Sequence, residues 1–118
     1  MSNVSLLDGH DDDSIPLMVN KLVRDNIPDI IKSGGQDCEY EVLSDSLYLK
    51  ALDLKLYEEV REYQDSKDLE ELADILEVIY SIARARGYGL DRLNEVAAEK
   101  VATRGSFRKR IFLTKIYP

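Results

Sequence analysis

Apolar residues recur at helical spacing through the middle and second half of the chain. Leu49, Leu52, Leu56, Val60 and Tyr63 share one face of a helix expected over residues 45 to 64, and Ser44 stands where an N-cap belongs. The polar stretch 64 to 68 reads as a turn. A second helix follows over residues 69 to 86, apolar across a broad arc that includes Leu72, Ile75, Leu76, Ile79, Ile82 and Ala83, and is expected to be the most buried element. After Gly87 and Gly89, a third helix is predicted over residues 90 to 103, with Leu93, Val96, Ala97 and Val101 on its inner side and Gly105 closing it.

The flanking segments follow other rules. Asn26, Pro28 and the pair Gly34 and Gly35 delimit a helix of about two turns. Cys38, Tyr40 and Val42 alternate with Asp37, Glu39 and Glu41, the period of a half-buried strand, and residues 107 to 117 are rich in aromatic and β-branched side chains. Pairing these two stretches sets Arg108 and Arg110 against Glu39 and Glu41. The expected fold is therefore mainly α, an antiparallel helical bundle with a small antiparallel β pair beside it. Residues 1 to 18, with Asp11, Asp12 and Asp13 beside the single histidine, His10, read as a flexible acidic tail, and residues 19 to 118 as one domain.

Charge and composition narrow the function. A net charge of -7 and a pI near 4.7 argue against stable nucleic-acid binding, which needs a basic face. An anionic ligand would need a cation to bridge it, and a divalent metal is the usual bridge where carboxylates cluster. The lone Cys38 excludes an internal disulfide and points to a reducing, cytoplasmic setting; the start of the chain lacks a leader pattern, and no stretch is apolar enough to enter a membrane. A chain of 118 residues buries little surface, so completion by a homo-oligomer, a dimer or a tetramer, is expected.

The candidate chemistry lies in carboxylates. At about 100° per residue, Glu59 and Glu62 project from one side of the first long helix near the margin of its apolar arc, and Glu71 and Asp74 take the matching positions on the next. A short turn that folds the helices antiparallel brings the four acids together, a self-repelling group answered by Mg²⁺, or Mn²⁺ in its place. Glu58, Glu70 and Glu77 lie further from the apolar arcs and read as solvated surface. Lys21 with Arg24, and Lys100 with Arg104, are candidate phosphate clamps that serve equally well as surface charge. No P-loop spacing is present, and Cys38 in a strand pattern reads as an inert thiol.

The run Asn20-Lys21-Leu22-Val23-Arg24-Asp25 with Ile27-Pro28, then Glu58-Glu59-Val60-Arg61-Glu62, Glu71-Leu72-Ala73-Asp74, and Lys100 to Arg104-Gly105 with Phe107 resembles the MazG-like, all-α nucleoside triphosphate pyrophosphatase superfamily, which includes phosphoribosyl-ATP pyrophosphohydrolase. The likeness spans residues 20 to 116 and is nearest to the small stand-alone branch with a KLVRD opening; the segment between the acidic pairs is shorter than in many MazG proteins. It implies a helical fold and Mg²⁺-dependent cleavage of a nucleoside triphosphate between the α and β phosphates. It also implies metal binding by Glu59, Glu62, Glu71 and Asp74, and phosphate contacts from Lys100 and Arg104. Glu59 and Glu62 are the first candidates for the residue that orients or deprotonates the attacking water, ligand and base being inseparable by sequence. Two other readings stand beside this one: a non-catalytic helical interaction module, and a phosphoribosyl-ATP pyrophosphohydrolase of histidine biosynthesis.

Overall fold

The computed structural model describes residues 15 to 118, so most of the expected acidic tail, His10 and Asp11 to Asp13 included, lies outside the described residues. The chain falls into two compact units, Met1–Val42 and Leu43–Pro118. Among the described residues, regular structure consists of four helices: α1 (Ile27–Ser33), α2 (Asp45–Ser66), α3 (Leu69–Ala85) and α4 (Leu90–Arg104). None is long and apolar enough to cross a membrane.

In the first unit, Pro28 sits in the opening turn of α1, where its missing N–H costs nothing. Asn26 precedes the helix, but its side chain makes no capping hydrogen bond, because its backbone is already in the helical region. The exit is better defined. Gly35 adopts a φ of +89°, and the amides of Gly35 and Gln36 donate to the carbonyls of Lys32 and Ile31, which closes the last turn with a left-handed cap. Ile27, Pro28, Ile31 and Cys38 are half-buried in this unit.

The second unit is built on the α2–α3 hairpin. Ser44 caps α2 as expected, its hydroxyl accepting from the Leu47 amide at 3.4 Å. The helix continues two residues beyond the predicted end, and the turn shrinks to Lys67 and Asp68. Lys67 takes a left-handed φ of 60°, its amide donates to the Tyr63 carbonyl at 2.7 Å, and its ammonium lies 5.2 Å from the centre of the Tyr63 ring. So tight a turn leaves the two helices no choice but to run back along each other. Asp53 on α2 meets Arg86 after α3 at 3.7 Å; at that exposure the pair adds less than about 1 kcal/mol and serves mainly as a register mark. Gly87, at φ +89°, ends α3 with the same pattern as α1, the Gly87 and Tyr88 amides donating to Arg84 and Ala83.

Two expectations need correction, and a third holds only in part. The β pair does not form: no strand is present among the described residues, and residues 37–42 and 107–117 make no ladder. A turn from the Phe107 carbonyl to the Arg110 amide, with Arg110 at a φ of 58°, breaks the alternation that suggested the second strand. The expectation that holds in part concerns α3, which has the largest share of buried and half-buried residues of the described helices, although its apolar arc is only partly covered. Of its apolar arc Ala83 is buried, whereas Leu72, Leu76 and Ile79 are exposed; Val78, which faces α2, is its other buried residue. The other correction concerns α4, which has no buried residue; Leu93 and Val96 are half-buried, and Ala97 and Val101 are exposed. The apolar periodicity was sufficient to define helices, but the arc on α3 is wider than one neighbouring helix covers.

Leu52, 2% exposed, is the most enclosed apolar side chain among the described residues. Leu52→Ala should lower unfolding free energy by about 2–5 kcal/mol, whereas Leu54→Ala, on the open side of α2, should change it by no more than about 0.5 kcal/mol; chemical denaturation of the two variants checks this.

Candidate metal centre

Leu52 and Glu59 are seven residues apart on α2 and therefore share a face, the one that packs on α3. Half-buried Leu56 and Tyr63 extend that face, so Glu59 lies within an apolar surface rather than beside it. Its side chain is only 6% exposed, shielded by immediate neighbours rather than by depth in a large core. On α3, Glu71 and Asp74 are three residues apart and half-buried. The antiparallel hairpin makes these positions meet: Glu59, Glu71 and Asp74 each offer an oxygen within 4.8 Å of the others.

A second set shares Glu59. Oxygens of Glu58, Glu59 and Glu62 also lie within 4.8 Å of one another, all from one stretch of α2. All four sequence-predicted carboxylates thus enter these sets, joined by Glu58, which had read as solvated surface. Glu58 is half-buried and accepts a hydrogen bond from Lys55 one turn earlier. The spacing of four between Glu58 and Glu62 was the available signal; its weakness is that such pairs are common on solvated helices.

The electrostatics follow from the packing. Burial raises the Glu59 carboxyl above its ordinary value of 4.5, the charges of Glu62, Asp74 and Glu58 raise it further, and Lys55 opposes them. Glu71 is raised as well, first by loss of hydration, then by Glu62 and Asp74, with a hydrogen-bonding approach from Glu62 and the charge of Asp68 adding to the effect. Oε2 of Glu59 and Oε2 of Glu71 are buried without a hydrogen-bond partner. An orphaned carboxylate oxygen is costly, and two beside further carboxylates call for a proton or a cation. The donor set is all oxygen, which suits Mg²⁺ or Mn²⁺ and disfavours zinc. On these grounds the residues fit the expected metal.

The predicted cations are placed otherwise. Lys100 and Arg104 are exposed on α4, and among the described residues neither is ion-paired to these carboxylates. Lys21 and Arg24 are exposed residues of the first unit.

Over 50 residues the chain is 46% identical to an uncharacterized protein of Mycolicibacterium smegmatis, a match covering 41% of this chain and 51% of that protein. The chain spans about half the length of this curated relative. No family model matches the chain, and no solved structure does.

Because Glu59 and Glu71 bind a proton more tightly when folded than when unfolded, their contribution favours folding at pH below 4.5 and is lost as pH rises through the raised values. In chelator, Glu59→Gln should therefore melt higher than the natural chain at neutral pH, and the gap should narrow as pH falls toward about 5. Melting curves of both proteins across that range provide the check; a gap that widens on acidification runs against the assignment.

Proposed function

We propose that this protein is a Mg²⁺-dependent nucleotide pyrophosphohydrolase of the MazG-like kind, cleaving a nucleoside triphosphate to its monophosphate and pyrophosphate in a reducing cytoplasmic setting. The single observation that carries the reading is the buried, unpartnered Glu59 oxygen amid carboxylates from two helices. Structural acids do not gather in this way without compensation, whereas a metal site requires it. The ordered sequence motifs named above support the same reading.

Glu59, Glu71 and Asp74, with Glu58 and Glu62 in the set that shares Glu59, would hold the ion or ions. Bound there, Mg²⁺ would neutralise phosphate oxygens and lower the pKa of a coordinated water. Glu62 is exposed at the rim of the cluster, within electrostatic reach of both Glu59 and Glu71, and is the residue we assign to accept the proton of the attacking water. Water adds to phosphorus, the P–O bond between the α and β phosphates breaks, and pyrophosphate leaves with the electron pair. Lys100, Arg104, Lys21 and Arg24 are the candidates for holding the remaining phosphate charge. Phosphoribosyl-ATP, which offers the same scissile bond, is the alternative substrate. The interaction-module reading draws on a separate observation, the exposed apolar residues of α3.

Pyrophosphate release from natural and modified nucleoside triphosphates and from phosphoribosyl-ATP, with Mg²⁺ and with chelator, tests the proposal. Metal-dependent release is expected, and Glu62→Ala with Asp74→Ala should lower it by at least the roughly 10- to 100-fold that even an outer-shell change costs a metal site. Folded protein that is silent on every substrate would favour the interaction module. Lys100→Met and Arg104→Met should each raise KM for the triphosphate more than they lower kcat, as expected of groups that bind phosphate equally before and during reaction; steady-state kinetics decide this.

A further inference from the structure

The net charge of -7 conceals an uneven distribution. Residues 100 to 118 hold six of the sixteen cations and none of the 23 acids, so this stretch is strongly basic while the rest of the chain is more acidic than the total suggests. Four of those cations, Arg108, Lys109, Arg110 and Lys115, lie beyond α4, are exposed, and among the described residues enter no ion pair. The turn from the Phe107 carbonyl to the Arg110 amide, with Arg110 at a φ of 58°, gathers three of them in one bend. Interleaved with them are Phe107, Ile111, Phe112, Leu113, Ile116 and Tyr117, each between 68% and 99% exposed. Bulky apolar side chains this open, with no acid among them, mark a surface made for contact.

The chemistry of the segment selects the partner. Unpaired cations call for a polyanion, and the apolar residues decide which kind. A single-stranded nucleic acid would match the charge, but only flat rings stack on bases, so Ile111, Leu113 and Ile116 would stay in water. An anionic lipid surface takes aliphatic and aromatic side chains alike at the boundary of its acyl chains, while lysine and arginine reach the headgroups above them. The backbone sets the depth. Beyond the turn at Phe107 this stretch forms no regular hydrogen-bonded structure, so its peptide groups need water, and the segment lies among the headgroups without crossing the bilayer. We propose that residues 107–117 bind a membrane surface bearing anionic lipids, Arg108, Lys109, Arg110 and Lys115 meeting the headgroups and the apolar residues dipping beneath them. The proposal uses no residue of the carboxylate centre and stands or falls apart from the reaction assigned to it.

Co-sedimentation of the full chain with vesicles tests it, using phosphatidylcholine alone and phosphatidylcholine with about 30% phosphatidylglycerol, and circular dichroism to report helix content. Binding is expected to the anionic vesicles and not to the neutral ones, and it should weaken as salt rises from about 0.1 to 1 M. Replacing Arg108, Lys109 and Arg110 together by glutamine should weaken it on the order of 100-fold. Phe112→Ser with Leu113→Ser leaves every charge in place and should weaken it by at least about tenfold, which attraction between charges alone does not predict. All five positions are exposed and outside the helices, so both variants should keep the natural helix content. Failure to sediment with anionic vesicles, equal binding to neutral ones, or binding that either variant leaves unchanged would each overturn the proposal. Tighter binding to a single-stranded oligonucleotide than to the vesicles, lost in the glutamine variant, would assign the segment to nucleic acid and overturn it as well.

Discussion

Glu59 occupies a position on α2 that apolar packing would normally give to a leucine, in the stripe that runs from Leu52 to Tyr63 against α3. Stripping water from a carboxylate costs several kcal/mol unless charge or hydrogen bonds replace the lost hydration, and the neighbours here, apart from Lys55, are further carboxylates that increase the cost. The hairpin is therefore assembled around a local instability. Its two-residue turn, the left-handed Lys67 and the Asp53 to Arg86 contact hold α2 and α3 in the register that keeps Glu59 opposite Glu71 and Asp74. Everything proposed for the chemistry of the protein depends on that register. A shift of one residue would rotate the α3 acids by about 100° and disperse the group.

Helices were legible because their signals are local. Ser44, the glycines at 35 and 87, and Pro28 set helix ends through backbone geometry alone, and the predicted limits of α2, α3 and α4 agree with the structure to within two residues. The short polar stretch between α2 and α3 also made the meeting of the two acidic pairs foreseeable, since a tight turn admits only an antiparallel return. The depth of burial was not legible. Periodicity placed Glu59 at the margin of the apolar arc, whereas packing of α3 across that margin encloses it; Glu58 was drawn in by the same neighbours and by Lys55.

The missing β pair shows the opposite failure. Strand propensity in residues 107–117 reflects aromatic and branched side chains, but a strand is stable only with a partner whose hydrogen bonds it meets, and a turn at Phe107 to Arg110 removes the regular alternation. Phe107, Phe112, Ile116 and Tyr117 remain exposed. The wide apolar arc on α3 gave the right ranking, since α3 is the most sheltered of the described helices, but not the extent of its cover. One side of it meets α2, the Ala83 end is buried, and the Leu69 to Ile79 stripe is left exposed.

The central claim is that carboxylates from α2 and α3 form one metal site centred on Glu59, and direct binding of Mn²⁺ tests it without reference to any substrate. Titration of the metal-free chain followed by electron paramagnetic resonance should show saturable loss of the free Mn²⁺ signal, reversed by Mg²⁺ and strongly weakened in both Glu59→Gln and Asp74→Asn. Absence of saturable binding, or binding that survives both substitutions, would contradict the account.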